Sequence, residues 1–152
     1  MRISERLMLG VRIKDTKSEH VLIDLRDILR VLNDELSKVN EWKVRFVEFT
    51  ATSDVATSYS ANFTAPVGGR IGQFKIEHRR WSIHELKDFA GALHQTFDGE
   101  IVGYKKTPKG KRISIFIKAF DTSWWDVFST DDKVIAIIEA GFKKTQMIES
   151  VD

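Results

Sequence analysis

Tyr104 to Lys118 reads YKKTPKGKRISIFIK, and six of its fifteen residues are Lys or Arg with no acid among them. Its middle, Thr107-Pro108-Lys109-Gly110, has the chemistry of a tight turn. Proline presets φ at the second position and glycine is favoured at the fourth. Ile101 to Lys106 before the turn and Arg112 to Phe120 after it are rich in apolar and β-branched residues. The stretch therefore predicts a β-hairpin, and an isolated hairpin is marginal in water without more strands or a packed helix. Ile113, Ile115, Phe116, Ile117 and Ala119 crowd the second strand, which predicts burial on both faces.

The further strands are legible on either side. Leu7, Leu9, Val11 and Ile13 alternate with polar or small residues, the pattern of a half-buried strand. Trp42 to Thr52 is aromatic and β-branched, and its alternation slips between Phe46 and Val47, which predicts a bulge. Tyr59, Ala61, Phe63 and Ala65 alternate before a Pro66-Val67-Gly68-Gly69 turn, and a strand runs from about Ile71 to Arg80. Trp124 to Phe128 is the last strand expected.

Three helices are expected. Leu22, Leu25, Leu29, Leu32, Leu36 and Val39 follow at spacings of three and four, with Ser18 as the expected cap. Ser82 and Glu85 form a capping box, with Trp81 placed to staple onto Leu86. Leu86, Phe89, Ala90, Leu93 and Phe97 then line one helix face, and Asp98-Gly99 is expected to stop it. Ser129 or Thr130 is expected to cap a last helix with Val134, Ile137, Ile138, Gly141 and Phe142 inward. The expected fold is one α+β domain over residues 1–152: a mainly antiparallel sheet of about seven strands with three packed helices. The order reads as a doubled unit of one helix and three strands. That order is similar in outline to Whirly-type single-strand binders, but no motif matches and no activity is carried over.

Composition narrows the chemistry. The chain has 24 basic and 22 acidic residues, a net charge of +2, and no cysteine. Thiolate metal sites, disulfides and cysteine nucleophiles are thereby excluded, and a reducing cytoplasmic location is the expectation. No stretch approaches the roughly 20 apolar residues of a membrane helix, so no membrane partner is expected. His20, His78, His84 and His94 stand at no recognised metal spacing, and no nucleophile elbow, P-loop or dinucleotide fingerprint is present. No catalytic residue, metal site or cofactor is assigned.

Two binding readings remain. Asp121, Asp126, Asp131 and Asp132 make residues 121–132 wholly acidic around Trp124-Trp125. Adjacent strand residues point to opposite faces, so one tryptophan is expected in the core and the other outside. An exposed tryptophan with Asp121, Asp126 and Asp131 beside it would make a protein-binding hot spot for a partner with a basic surface. This first reading is a non-catalytic interaction module of the small inhibitor or toxin-neutralising immunity type. The alternative is a nucleic-acid binder using Lys105, Lys106, Lys109, Lys111 and Arg112, with Arg79 and Arg80. Strand order decides whether those two basic strands share one patch.

Overall fold

A computed structural model of the chain describes residues 8–18, 21–51, 62–63, 72–120 and 124–149. The hairpin lies at the centre of it. Strand β7 (Leu93–Thr107) and strand β8 (Gly110–Phe120) pair in antiparallel register from Asp98↔Phe120 to Thr107↔Gly110. Gly110 has φ +123°, which L side chains rarely adopt. The Thr107 hydroxyl donates to the Gly110 carbonyl at 3.0 Å and accepts the Lys109 N–H at 3.3 Å, fixing the turn.

The remaining strands are β1 (Leu9–Ile13), β2 (Thr16–Ser18), β3 (Val21–Leu22), β4 (Glu41–Ala51), β5 (Asn62–Phe63), β6 (Gly72–Trp81), β9 (Trp124–Ser129) and β10 (Thr145–Glu149). Eight of the ten form one antiparallel sheet in the order β10-β1-β9-β8-β7-β4-β6-β5, in which seven are of five residues or more. The fold is α+β. Strands β2 and β3 make a separate small pair, and neither they nor β10 were anticipated. Among the described residues the element order is doubled: helix, β4, β5, β6, then helix, β7, β8, β9. The spatial order is not. β7-β8-β9 is a meander, whereas β6 sits between β4 and β5.

Among the described residues four helices pack on one face: α1 (Leu25–Val31), α2 (Asn33–Leu36), α3 (Ile83–Ala92) and α4 (Asp132–Gly141). Helix α1 touches both α3 and α4, α3 lies against β4 and β6, and α4 lies against β1 and β9. The predicted stripe Leu25, Leu29, Leu32, Leu36 and Val39 is buried as expected, but the helix breaks at Leu32 (φ −87°, ψ 6°) into α1 and α2. Ser18 does not cap it, because Ser18 closes β2. Asp24 caps instead. Its carboxylate accepts the Leu25 N–H at 2.7 Å, and Asp27 returns the bond to the Asp24 N–H at 2.8 Å. Asp24 also accepts the Thr96 N–H at 2.8 Å and the Thr96 hydroxyl at 3.0 Å, which ties α1 to β7. Burial pushes the Asp24 carboxyl up, and the bonds from Leu25 and Thr96 hold it partly down.

Helix α3 begins at the expected capping box, Glu85 N–H to the Ser82 hydroxyl at 3.2 Å and Ser82 N–H to the Glu85 carboxylate at 3.1 Å. The Trp81 ring packs on Phe89, with centroids 4.8 Å apart. The helix ends at Ala92, earlier than Asp98-Gly99. From Leu93 the chain is extended because β4 pairs with it, Ala51↔Leu93 through Glu41↔Tyr104. Gly99 is a slot in that strand: a Cβ there would lie 2.6 Å from the Phe46 ring. The predicted slip in β4 is real, with register shifts between Phe46, Glu48 and Phe49. Phe46, Phe49 and Phe89 close the core here with centroids 5.0–5.6 Å apart.

Helix α4 is capped by Asp131, not by Ser129 or Thr130. The Asp131 carboxylate accepts the Lys133 N–H at 2.9 Å. The Ser129 hydroxyl is used elsewhere, donating to the Ser114 carbonyl at 2.7 Å. Glu35 of α2 binds Lys38 at 2.8 Å and Lys133 of α4 at 3.2 Å. These lysines hold its carboxyl below the usual range, the Lys38 hydrogen bond contributing most.

Asp24→Ala should cost about 2 kcal/mol by urea denaturation, the upper end for a helix cap, because it also strips the buried Thr96 pair of its acceptor. Ser82→Ala, at an exposed cap, should cost about 1 kcal/mol. Equal costs would mean that the Asp24–Thr96 tie contributes nothing.

Candidate binding face

The helices leave the opposite sheet face without a described helix over it. Register places its rows. Gly10, Phe128, Phe116, Val102, Lys43 and Arg80 form one, and Arg12, Asp126, Lys118, Glu100 and Arg45 form the next. Phe116 and Phe128 meet edge-on at 6.0 Å in the middle.

Trp124 and Trp125 divide between the two faces. Trp125 is in the core, 4% exposed. Trp124 is on the helix-free face, stacked on Phe120 with centroids 5.4 Å apart and planes 2° from parallel. The Arg12 guanidinium lies 4.4 Å from the Trp124 centroid and the Lys14 ammonium 5.9 Å. Phe120 is 46% exposed, with the Lys118 ammonium 5.8 Å from its centroid. The Trp124 Nε1 is enclosed and bonds no described residue.

The acids expected around the tryptophan are dispersed. Asp126 is buried and receives two bonds from Arg12, at 2.9 and 3.1 Å. That pairing raises the Arg12 pKa. Asp131 caps α4, and Asp121 lies outside the described residues. Trp124 and Asp126 are thus brought together, while Trp125 and Asp131 are not. The groups that the described residues place on the Trp124 and Phe120 rings are cations, and the acid beside them is already neutralised. Arg12 and Lys14 were not singled out from sequence. Arg12 sits at the polar phase of the β1 alternation, but its pairing with β9 spans 114 residues and leaves no local signal.

The basic residues are gathered at the other end of β8. Lys106, Lys109, Lys111 and Arg112 are exposed at the hairpin tip, and Lys105 is half-buried. Strand β4 separates the hairpin from β6, yet its first residue joins them. The Glu41 carboxylate bonds Lys111 and lies 3.4 Å from Arg80 Nε. The Lys111 hydrogen bond holds the Glu41 carboxyl below its usual range, with Arg80 and Lys106 adding to it. Arg79 pairs with Val44 along the backbone, and its side chain lies outside the description. The two basic strands do share one patch. Among the described residues, Lys43, Arg45, Lys105, Lys106, Lys109 and Arg112 enter no ion pair.

A groove of about 210 Å³ between α1 and α3 is lined by Arg26, Arg30, Asn33 and Lys87. Among the described residues, no group of three His, Asp or Glu is placed to hold a metal. His84 is exposed on α3, His20 lies outside the described residues, and nothing is described of the His78 and His94 side chains. No described helix is long and apolar enough to cross a membrane. No family model, no curated protein and no solved structure matches the chain, so the outline likeness to Whirly-type binders gains no support.

Arg12→Ala strips the buried Asp126 of its partner and should cost about 2 kcal/mol, reduced from a fully buried pair because Arg12 itself is 28% exposed. Lys118→Ala, which loosens a 3.9 Å pair with Glu100 and a partly exposed contact with the Phe120 ring, should cost less than about 1 kcal/mol. Urea denaturation of the two variants checks the ranking.

Proposed function

We propose that the chain is a non-catalytic nucleic-acid-binding protein that lays a single strand along the helix-free face. The observation that carries this reading is the pairing of two features along β8. An exposed ring, Phe120, backed by Trp124 and flanked by Arg12, Lys14 and Lys118, lies at one end. Lys106, Lys109, Lys111 and Arg80 lie at the other. Strand geometry separates the two ends by roughly 30 Å. Bases stack on aromatic rings whatever their sequence, and lysine and arginine neutralise the phosphates between. A duplex keeps its bases stacked inside and cannot use the ring, so single strands are favoured over duplex.

The inhibitor or immunity-type reading rests on the same ring pair taken as a hot spot. With cations rather than acids beside the rings, it calls for a partner with an acidic surface. The two readings part at Glu41 and at the salt response.

Fluorescence anisotropy of a labelled 15-mer of single-stranded DNA or RNA, and of its duplex, tests the proposal. Neutralising about four phosphates predicts a loss of roughly 50-fold between 50 and 200 mM salt. Phe120→Ala should weaken single-strand binding by about 1–3 kcal/mol and leave duplex binding unchanged. Glu41→Gln removes the one acid between Lys111 and Arg80 and should tighten binding about threefold or more. No binding at 50 mM salt overturns the nucleic-acid reading and returns the face to a protein partner.

A further inference from the structure

The geometry points to a symmetric dimer formed by pairing β10 with β10 of a second copy. Among the described residues, strand β10 is an edge of the sheet and is bonded only to β1. Its phase follows from one bond. The Lys14 N–H donates to the Lys144 carbonyl at 2.8 Å, which makes Lys14 and Lys144 a hydrogen-bonded pair in the register that continues from Ile13↔Thr145 to Leu9↔Glu149. Hydrogen-bonded and non-bonded pairs alternate along an antiparallel ladder. Gln146 and Ile148 therefore turn their backbone groups to β1, and Thr145, Met147 and Glu149 turn theirs outward. An antiparallel copy centred on Met147 sets Met147 opposite Met147 and Thr145 opposite Glu149. That register uses the outward N–H and C=O of all three residues on both strands. A shift by one residue would place outward groups against inward ones.

The side chains favour the same register. Exposed strand edges are usually guarded by lysine, proline or a bulge. β10, TQMIE, has one charge, Glu149, and none of those devices. Leu9, Phe120 and Met147 are the exposed large hydrophobics among the described residues. Leu9 and Met147 share one sheet face at this edge, since Leu9 pairs Glu149 and Val11 pairs Met147. The Met147-centred dimer puts these apolar groups of the two copies together. It also sets Glu149 diagonal to Lys143 of the second copy, within reach of a long side chain. A two-fold axis through such a ladder runs perpendicular to the sheet. The helix-free faces of both copies then lie on the same side of one continuous sheet. The contact is short, and its dissociation constant falls in the micromolar range rather than the nanomolar.

Sedimentation velocity of the full chain from about 1 to 200 μM tests it. The expected result is a concentration-dependent rise to twice the chain mass. Met147→Pro removes only an outward-facing N–H, a position where an edge strand tolerates proline. Met147→Lys sets two like charges against each other on the axis. Each should raise the dissociation constant at least about tenfold while circular dichroism and melting temperature stay unchanged. If Met147→Pro does not fold, Met147→Lys carries the test. A wild-type monomer at 200 μM overturns the proposal, and so does a dimer that both folded variants retain.

Discussion

The seam between β4 and β7 is the constraint on which the rest of the structure depends. It joins the two helix-plus-three-strand halves, and it closes only because β7 presents glycine where β4 presents its largest rings. A Cβ at Gly99 would lie 2.6 Å from Phe46, and one at Gly103 would lie 2.9 Å from Trp42. Both rings are fully buried. A bare backbone lets each ring lie against the neighbouring strand, and the helices close over them from the same side. Phe46 then meets Phe49 and Phe89, and Phe89 meets Trp81. One local choice, glycine rather than a side chain, thus sets the sheet order at its centre and the position of α3 above it. Interiors pack too densely for either strand to give way instead.

The same seam explains where sequence reading succeeded and where it failed. The hairpin, the apolar stripes of the helices, the capping box at Ser82 and the slip in β4 are local patterns, and each is where the residues place it. Asp98-Gly99 looks like a helix stop because Asp and Gly stop helices. Here they lie within a strand, since the pairing offered by β4 outweighs a helical period of five residues from Leu93 to Phe97. Asp24 was missed as a cap because its capping-box partner is Asp27 rather than Glu or Gln, and because its second ligand, Thr96, is 72 residues away. β10 was missed for a similar reason. Its alternation is weak, and only its pairing with β1 makes it a strand.

The candidate site shows the limit of reading charge along the chain. Residues 121–132 look like one acidic block. A strand followed by a helix start sends consecutive acids to different faces, so Asp126 is consumed by Arg12 and Asp131 by the α4 amides. That one tryptophan lies inside and one outside was legible from strand alternation. Which one is inside depends on the phase of β9 relative to the helices, and that phase is set by β1 and β8, distant in sequence. The cations over Trp124 come from β1 for the same reason. The basic hairpin, by contrast, was legible because a two-residue turn keeps its lysines together whatever the rest of the sheet does.

Charge on the helix-free face is arranged by pairing rather than by sum. Three of its acids, Glu41, Glu100 and Asp126, each sit against a cation of a neighbouring strand. Among the described residues, Lys14 beside Trp124 enters no ion pair, and the other cations without one collect at the hairpin tip and along Lys43 and Arg45. A net charge of +2 over the chain therefore understates the field at that end of the sheet. The paired acids also constrain the face. Glu41 holds Lys111 and Arg80 in place across β4, so two strands that are not neighbours present their cations as one group. An anion arriving there must compete with that carboxylate for both cations, so the pairing that gathers them into one group also weakens their hold on a phosphate.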